Sequence, residues 1–439
     1  MTNQPEITSQ AVEASPSYEK VSLQQWLGSM VLHATRPDHE QLHVHAVIHE
    51  FQKIIESDTI IFMHACAMFQ QVPSESPYDN DPLGRPQIRD YKQMLQLMNA
   101  LLTAAPTWDN PVFQIGWTGF PINVVLNWPM STPSGKAFFL HDRVNMQLKK
   151  VLDTWAEHLS SLASANVLTT NANGWLGSDA LAAMEYVANV GTTNLTFEQL
   201  FVCDPSLPHW GFKSWDDFFT RRFRPGLRPV ADPDDDNIIA NPCESKPYRL
   251  ATKVAGRNTF WVKGQPYSIL DMLAQDELAG HFVGGTVFQA FLSSLSYHCW
   301  HSPVSGTVLK TRLVPGTYYS KAESQGFGSR HKSLSQSQGY LTAVATRMLI
   351  FIEADNPAIG LVCVMPVGMA EVSTCETTVI PGQRVSKGQE LGMFHFGGST
   401  TCLLFRPEIE LQWTAQASMV ENPSFNIPVN TEIARVHVA

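Results

Sequence analysis

Two stretches carry residues whose types and spacing suit chemistry. In Leu391-Gly392-Met393-Phe394-His395-Phe396-Gly397-Gly398-Ser399-Thr400-Thr401 an apolar run ends in two glycines and three hydroxyl residues, the pattern of a strand delivering a hydroxyl into an unhindered turn. The Ser399 hydroxyl can reach the Gly398 carbonyl, which glycine leaves sterically open. Attack there shifts the acyl group from nitrogen to oxygen, and elimination of the resulting ester turns the serine into dehydroalanine and then a pyruvoyl group, a ketone that condenses with amines. Taken alone, a Gly-Gly-Ser-Thr string fits an ordinary turn between strands more readily. Self-cleavage also needs a base for the Ser399 proton and a group to orient that base. The second stretch, Tyr297-His298-Cys299-Trp300-His301-Ser302-Pro303, offers two histidines three apart. Aromatic packing with incidental histidines is the alternative reading of it.

The elements that must position these groups fall into two textures. The chain has 439 residues, 44% hydrophobic and 16% charged, with a formal net charge of -10. It is long enough for two or more domains and globular in composition. The acidic balance argues against nucleic-acid binding and gives no help toward an anionic membrane. Seven cysteines without a CxxC pair point to reduced thiols and cytoplasmic localisation rather than disulfides or zinc. No apolar run reaches the roughly 18 residues of a membrane span, so no stable membrane insertion is expected.

Residues 1–20 read as a disordered terminus and 21–200 as a mainly helical region. Ser57-Asp58 is placed to cap a helix from Thr59 to Phe69, and Tyr91 to Leu102 forms another. Val144, Leu148, Val151, Leu152, Trp155 and Leu159 make one stripe over Arg143 to Leu159. His39, His43, His45 and His49 read as a solvated helix face, with no metal site. The small and polar residues from Gly174 to Thr196 mark the region's end. Trp215 to Pro225 is a short amphipathic helix with a basic last turn. Its Arg221, Arg222 and Arg224, with Arg228, suit either an anion or pairing with nearby aspartates. From Ile238 onward short strands alternate with Gly, Pro and Asn. Ser302 to Val308 and Pro381 to Gly392 share a glycine-turned hairpin design that hints at internal duplication. Lys321 to Gln338 is a polar surface loop or lid.

Three motifs in order resemble the phosphatidylserine decarboxylase family over residues 201–439: the Phe-Phe-x-Arg of Phe218 to Arg221, the Tyr-His-x-x-His of Tyr297 to His301, and Phe394-x-Phe396-Gly397-Gly398-Ser399-Thr400. The words around Glu244, Phe351 to Asp355, Met369 to Glu376 and Gly392 to Gly398 are most similar to the fungal branch containing the tryptophan decarboxylases of the psilocybin pathway. The resemblance implies an α+β fold, a helical N-terminal region followed by a β-rich catalytic domain like duplicated lipoyl-type sandwich barrels. It implies self-cleavage between Gly398 and Ser399, into residues 1–398 and 399–439, the two chains staying together. Ser399 then becomes the pyruvoyl cofactor, in place of pyridoxal phosphate. His301 resembles the base that activates Ser399, and His298 the histidine acting on bound substrate. Glu244, in Asn241-Pro242-Cys243-Glu244-Ser245, stands at the orienting aspartate, one methylene longer. Cys299 stands where many members have arginine, so that arginine's role is expected to be absent.

The implied reaction is decarboxylation of a free aromatic L-amino acid, L-tryptophan to tryptamine, with phosphatidylserine decarboxylation to phosphatidylethanolamine as the alternative. A pyridoxal phosphate enzyme, which the His331-Lys332 pair would suit, is disfavoured by its place in a Ser/Gln-rich loop of a β-rich region. A non-catalytic binding scaffold is disfavoured by the conjunction of Ser399, His298, His301 and Glu244.

Overall fold

The computed structural model describes residues 44–81, 86–108, 121–258, 267–321, 337–371, 374–395, 399–418 and 426–436. The first 20 residues, His39, His43, Phe396, Gly397, Gly398 and most of the Lys321 to Gln338 interval lie outside them.

Helices come first. In α1 (Ala46–Ser57) the buried Ile48, Phe51 and Ile55 recur at three and four residues, so one face meets the core. Asp58 caps α2 (Thr59–Gln70), accepting from the N–H groups of Ile60 at 3.0 Å and Ile61 at 3.2 Å. Asp90 caps α3 (Tyr91–Leu101) through Gln93 N–H at 2.8 Å. After α4 (Pro121–Leu126) and α5 (Pro133–Leu140), α6 (Asp142–Leu159) buries the whole stripe that its periodicity predicts. The small and polar Gly174 to Thr196 stretch holds a helix, α7 (Ser178–Asn189). Its buried Ala180, Met184 and Ala188 make a narrow, small-residue face that polar flanks obscure. Then come α8 (Phe197–Leu200) and α9 (Trp215–Phe219), the latter capped by Ser214.

The strands are β1 (Ile238–Ala240), β2 (Lys246–Ala251), β3 (Thr286–Leu292), β4 (Cys299–His301), β5 (Gly306–Val314), β6 (Arg347–Ala354), β7 (Leu361–Gly368), β8 (Thr374–Thr377), β9 (Arg384–Val385), β10 (Glu390–His395), β11 (Ser399–Phe405), β12 (Leu411–Trp413) and β13 (Glu432–Val436). A seven-stranded sheet runs β2-β3-β11-β7-β6-β5-β9, and two three-stranded sheets run β4-β10-β8 and β1-β13-β12. Their pairings are antiparallel. β7 and β11 are buried from end to end, β7 as a largely apolar strand and β11 with three hydroxyl residues, Ser399, Thr400 and Thr401, at its head. One apolar core runs through the helices and the large sheet.

No sheet closes on itself among the described residues, so the expected pair of sandwich barrels is not what the strand order gives. The two glycine-turned segments pair with each other. Gly306 lies opposite Val385, and Ser302 bonds the Gly388-Gln389 pair across the same interface, through Ser302 N–H to Gln389 O and Gly388 N–H to Ser302 O. Turn chemistry fixes a local reversal of the chain but not which distant segment completes the sheet.

Register places the chemistry at one end of the large sheet. Ser399 heads β11, opposite Leu292 at the end of β3 and Gly368 at the end of β7. Lys246, which opens β2, lies opposite Phe291. Glu244, the Ser293 to His298 connection, Ser399 and the Met369 to Glu371 turn therefore all emerge at the same end of four adjacent strands.

Candidate active site

Ser399 sits at the start of a strand held on both sides, and its side chain is fully buried. Its Oγ has no hydrogen-bond partner among the described residues. Thr400 points to the other face, as strand alternation requires, and is tied down: Oγ1 donates to Ala290 O at 2.9 Å and accepts from Gln289 Nε2 at 3.0 Å. Thr401, next on the Ser399 face, is likewise buried without a hydrogen-bond partner for its Oγ1 among the described residues, so the unmet hydroxyls belong to that face of β11. A buried hydroxyl left without a partner costs about 1–3 kcal/mol and calls for a functional reason.

The histidine segment is carried to this end by β4, which pairs with β10 immediately upstream of Ser399. Phe394 N–H donates to His298 O at 3.0 Å, and Met393 and Glu390 lie opposite Cys299 and His301. Close approach there requires Gly392, where an added Cβ would stand 2.1 Å from Glu376 O and 2.7 Å from the Trp300 ring. The His298 imidazole is fully buried and stacks on Phe219 of α9, centroids 4.0 Å apart. The Phe-Phe-x-Arg word thus acts as a support: Phe219 packs on His298, while buried Arg221 donates to Leu295 O at 2.6 Å.

His301 lies farther back along β10. Its Nδ1 is 2.7 Å from Gly388 O and its Nε2 3.0 Å from the Tyr297 hydroxyl. A carbonyl only accepts, so Nδ1 carries the proton and Nε2 holds the lone pair, accepting from Tyr297. Burial lowers the His301 pKa, with Arg222 adding to the effect and Gly388 and Glu390 opposing it. The ring is therefore a neutral base at neutral pH.

Glu244 is fully buried and held by Arg228 in a two-pronged pair, Nε to Oε2 at 2.9 Å and Nη2 to Oε1 at 2.5 Å, with Val429 N–H on Oε2 at 2.8 Å. Burial pushes its carboxyl up, and Arg228 and Val429 oppose that. No hydrogen bond joins Glu244 to His301. Both oxygens of the one and both nitrogens of the other are engaged elsewhere. The two segments still touch, through His301 N–H to Pro242 O at 2.8 Å.

The arginine cluster is internal bracing rather than an open anion site. Arg222 pairs with Glu390 and reaches Cys299 Sγ at 2.6 Å, and Arg224 donates to Glu198 O and Cys203 O. Among the described residues no group of three His, Cys, Asp or Glu could hold a metal ion, and no helix is long and apolar enough to cross a membrane.

Comparison with known proteins agrees with this assembly. Two family profiles described as phosphatidylserine decarboxylase match residues 45–184 and 215–422. The decarboxylase iboD of Amanita muscaria is 43% identical over 332 residues, 73% of this chain and 92% of that one. The L-tryptophan decarboxylase of Psilocybe cubensis is 35% identical over 404 residues, 88% of this chain and 85% of that one. The chain belongs to the phosphatidylserine decarboxylase family. Phosphatidylserine decarboxylase proenzyme 3 of Schizosaccharomyces pombe is 31% identical over 217 residues, but these are only 21% of its length. The relatives that match over most of their length are thus named decarboxylases, which supports decarboxylase chemistry.

Within this family the pyruvoyl group forms from a serine, and Ser399 fits that origin: its oxygen is buried and uncommitted, and its strand is anchored on both sides. Beside Cys299 the Arg222 guanidinium stands 2.6 Å from Sγ. Reading by motif missed Arg228, Tyr297 as the partner of His301, and Phe219 as the platform for His298. All three lay inside the quoted words or next to them, but Arg228 and Phe219 have their partners in other segments of the chain, and the Tyr297–His301 bond, four residues apart, depends on how the segment bends.

Proposed function

We propose that the chain cleaves itself between Gly398 and Ser399 and then decarboxylates a free aromatic L-amino acid, L-tryptophan to tryptamine. The observation that carries this reading is the buried, uncommitted Ser399 Oγ at the head of β11, downstream of β10, whose Phe394 N–H bonds the His298 carbonyl. The 35% identity to an L-tryptophan decarboxylase over 88% of the chain supports the substrate class.

His301 takes the Ser399 proton at Nε2, once the Tyr297 hydroxyl yields that nitrogen, and Gly388 O keeps Nδ1–H and the ring orientation fixed. Glu244 acts at one remove, holding the Asn241 to Ser245 segment against Arg228 and Val429 while Pro242 O anchors the His301 backbone. The pyruvoyl ketone derived from Ser399 supplies the electron-withdrawing carbonyl that pyridoxal phosphate provides elsewhere. His298, stacked on Phe219, returns a proton to the substrate's α-carbon. After cleavage the residues from 399 onward stay bound, because β11 lies between β3 and β7 and β13 pairs with β1.

Phosphatidylserine is the second candidate substrate, favoured by the two family profiles. The deciding experiment is intact-mass spectrometry followed by parallel incubation with L-tryptophan and with phosphatidylserine vesicles. Fragments of residues 1–398 and 399–439 with tryptamine formed is the expected result. Phosphatidylethanolamine without tryptamine would reverse the substrate assignment, and an uncleaved, inert chain would refute the reading.

A further inference from the structure

Thr400, the residue after Ser399, is held in a way that the fold alone does not require. β3 reads Thr-Val-Phe-Gln-Ala-Phe-Leu, an apolar strand interrupted by Gln289, whose side chain is fully buried. Burying an amide costs free energy that an apolar side chain would not, so the bonds it makes call for a reason. Register sets Gln289 opposite Cys402, which shares a face of β11 with Thr400 two residues away. Across that diagonal Gln289 Nε2 donates to Thr400 Oγ1 at 3.0 Å, and also to Gln338 O at 3.3 Å. Gln289 Oε1 accepts from the Tyr267 hydroxyl at 2.5 Å, which fixes the amide with its N–H groups toward Thr400. Thr400 Oγ1 gives its own proton to Ala290 O at 2.9 Å. Tyr267, Gln338 and Thr400 are all buried with Gln289. Tyr267 lies just ahead of the helix Ile269–Met272 and Gln338 opens the helix Gln338–Val344. Two segments outside the strand pair therefore brace one amide against one hydroxyl.

A cut between Gly398 and Ser399 changes what that hydroxyl has to do. In the uncut chain β10 ends at His395 and β11 begins at Ser399, so covalent continuity restrains the head of β11. After the cut, residue 399 is a chain end, and conversion of its serine to a ketone also removes its backbone N–H. Chain ends fray unless they are tied down. Backbone pairing with β3 and β7 continues from Thr400 onward, but the last pairs of a ladder open with little free energy. Thr400 carries the first side chain after the cut that is anchored from outside that ladder.

We propose that Gln289 is a positioning residue of the processed chain: through Thr400 Oγ1 it locks the cut end of β11 into the sheet and so holds the reactive group one residue away. The proposal rests on the self-cleavage reading and deepens it. Gln289 acts through Thr400 and takes no part in making or breaking bonds.

The test is amide hydrogen exchange over residues 400–405, read by mass spectrometry on the full-length protein, in its cleaved form and in the uncut Ser399→Ala background. Thr400→Val keeps the branched shape and loses the hydroxyl. Gln289→Met keeps the length and loses the amide, and either variant suffices if the other fails to fold. Both are expected to cleave as the parent does. In the cleaved form both are expected to exchange about fivefold faster than the parent, the scale of one hydrogen bond, and in the uncut background to stay within about twofold of it. With L-tryptophan, kcat is expected to fall by a similar factor while KM stays within about twofold. Equally faster exchange in both backgrounds would make the bonds merely structural, and unchanged exchange in the cleaved form would show that the cut end needs no tie. Either result overturns the proposal and leaves self-cleavage standing. A parent chain that never cleaves overturns the self-cleavage reading and the proposal together.

Discussion

Arg228 and Glu244 close a buried two-pronged ion pair between the end of the basic run after α9 and the segment that enters β2, with the Glu244 side chain only 1% exposed and that of Arg228 13%. Removing one partner leaves the other charge buried and uncompensated, which costs roughly 3–5 kcal/mol. Glu244→Ala is expected to lose stability on that scale in chemical denaturation. Glu244→Gln, which keeps the shape and one acceptor oxygen, is expected to lose less and to cleave more slowly than the parent.

Ser399→Ala is expected to remain a single chain with no decarboxylase activity. Intact mass reads the outcome, and two fragments from this variant would remove Ser399 from the cleavage site.

The two histidines are expected to separate in function. His301→Ala should stay uncleaved, whereas His298→Ala should cleave and then turn over about 10²–10⁴-fold more slowly, the usual contribution of a general acid or base. Comparing fragment patterns with single-turnover rates would expose an exchange of roles.

His395 gives a pH test outside the catalytic pair. Burial pulls its pKa down, but Nδ1 on Asp216 at 2.9 Å and Nε2 on Glu376 at 3.0 Å outweigh that and leave it raised above 6.5. A raised histidine contributes stability that is fully present below its unfolded pKa and is lost as pH climbs through the folded one. His395→Gln should therefore lower the melting temperature more at about pH 5.5 than at about pH 9. An equal loss at both would show that the imidazolium contributes nothing.

Gly392→Ala is expected to disturb the β4-β10-β8 sheet, because its Cβ would collide with Glu376 O at 2.1 Å, a backbone atom that cannot swing aside. Lower melting temperature and slower cleavage should appear together, since this sheet carries His301 and bonds the His298 carbonyl. Normal cleavage in Gly392→Ala would mean the strands can separate without affecting the site.

Much of the fold was legible because local rules governed it. The α6 stripe, the Asp58 cap and the unbroken apolar runs of β6 and β7 each follow from residues within a few positions of one another. α7 was hidden because its buried face is made of alanines and one methionine between polar flanks, too weak a pattern to stand out. The strand order among the described residues shows no closed barrel, and the glycine turns could not foretell this, because such a turn specifies a reversal and not a partner.

By itself the sequence determined the chemical vocabulary: a serine after two glycines, two histidines three apart and a carboxylate, in an order that matches one family. Those are properties of residue type and spacing. Only the tertiary structure decided who holds whom. Glu244 goes to Arg228, His301 to Tyr297 and Gly388, His298 to Phe219, and Glu371 to α4 of the helical region. Each pair except His301–Tyr297 joins residues 16 to 249 positions apart, and such partners are selected by sheet register and core packing, which act on the folded chain as a whole.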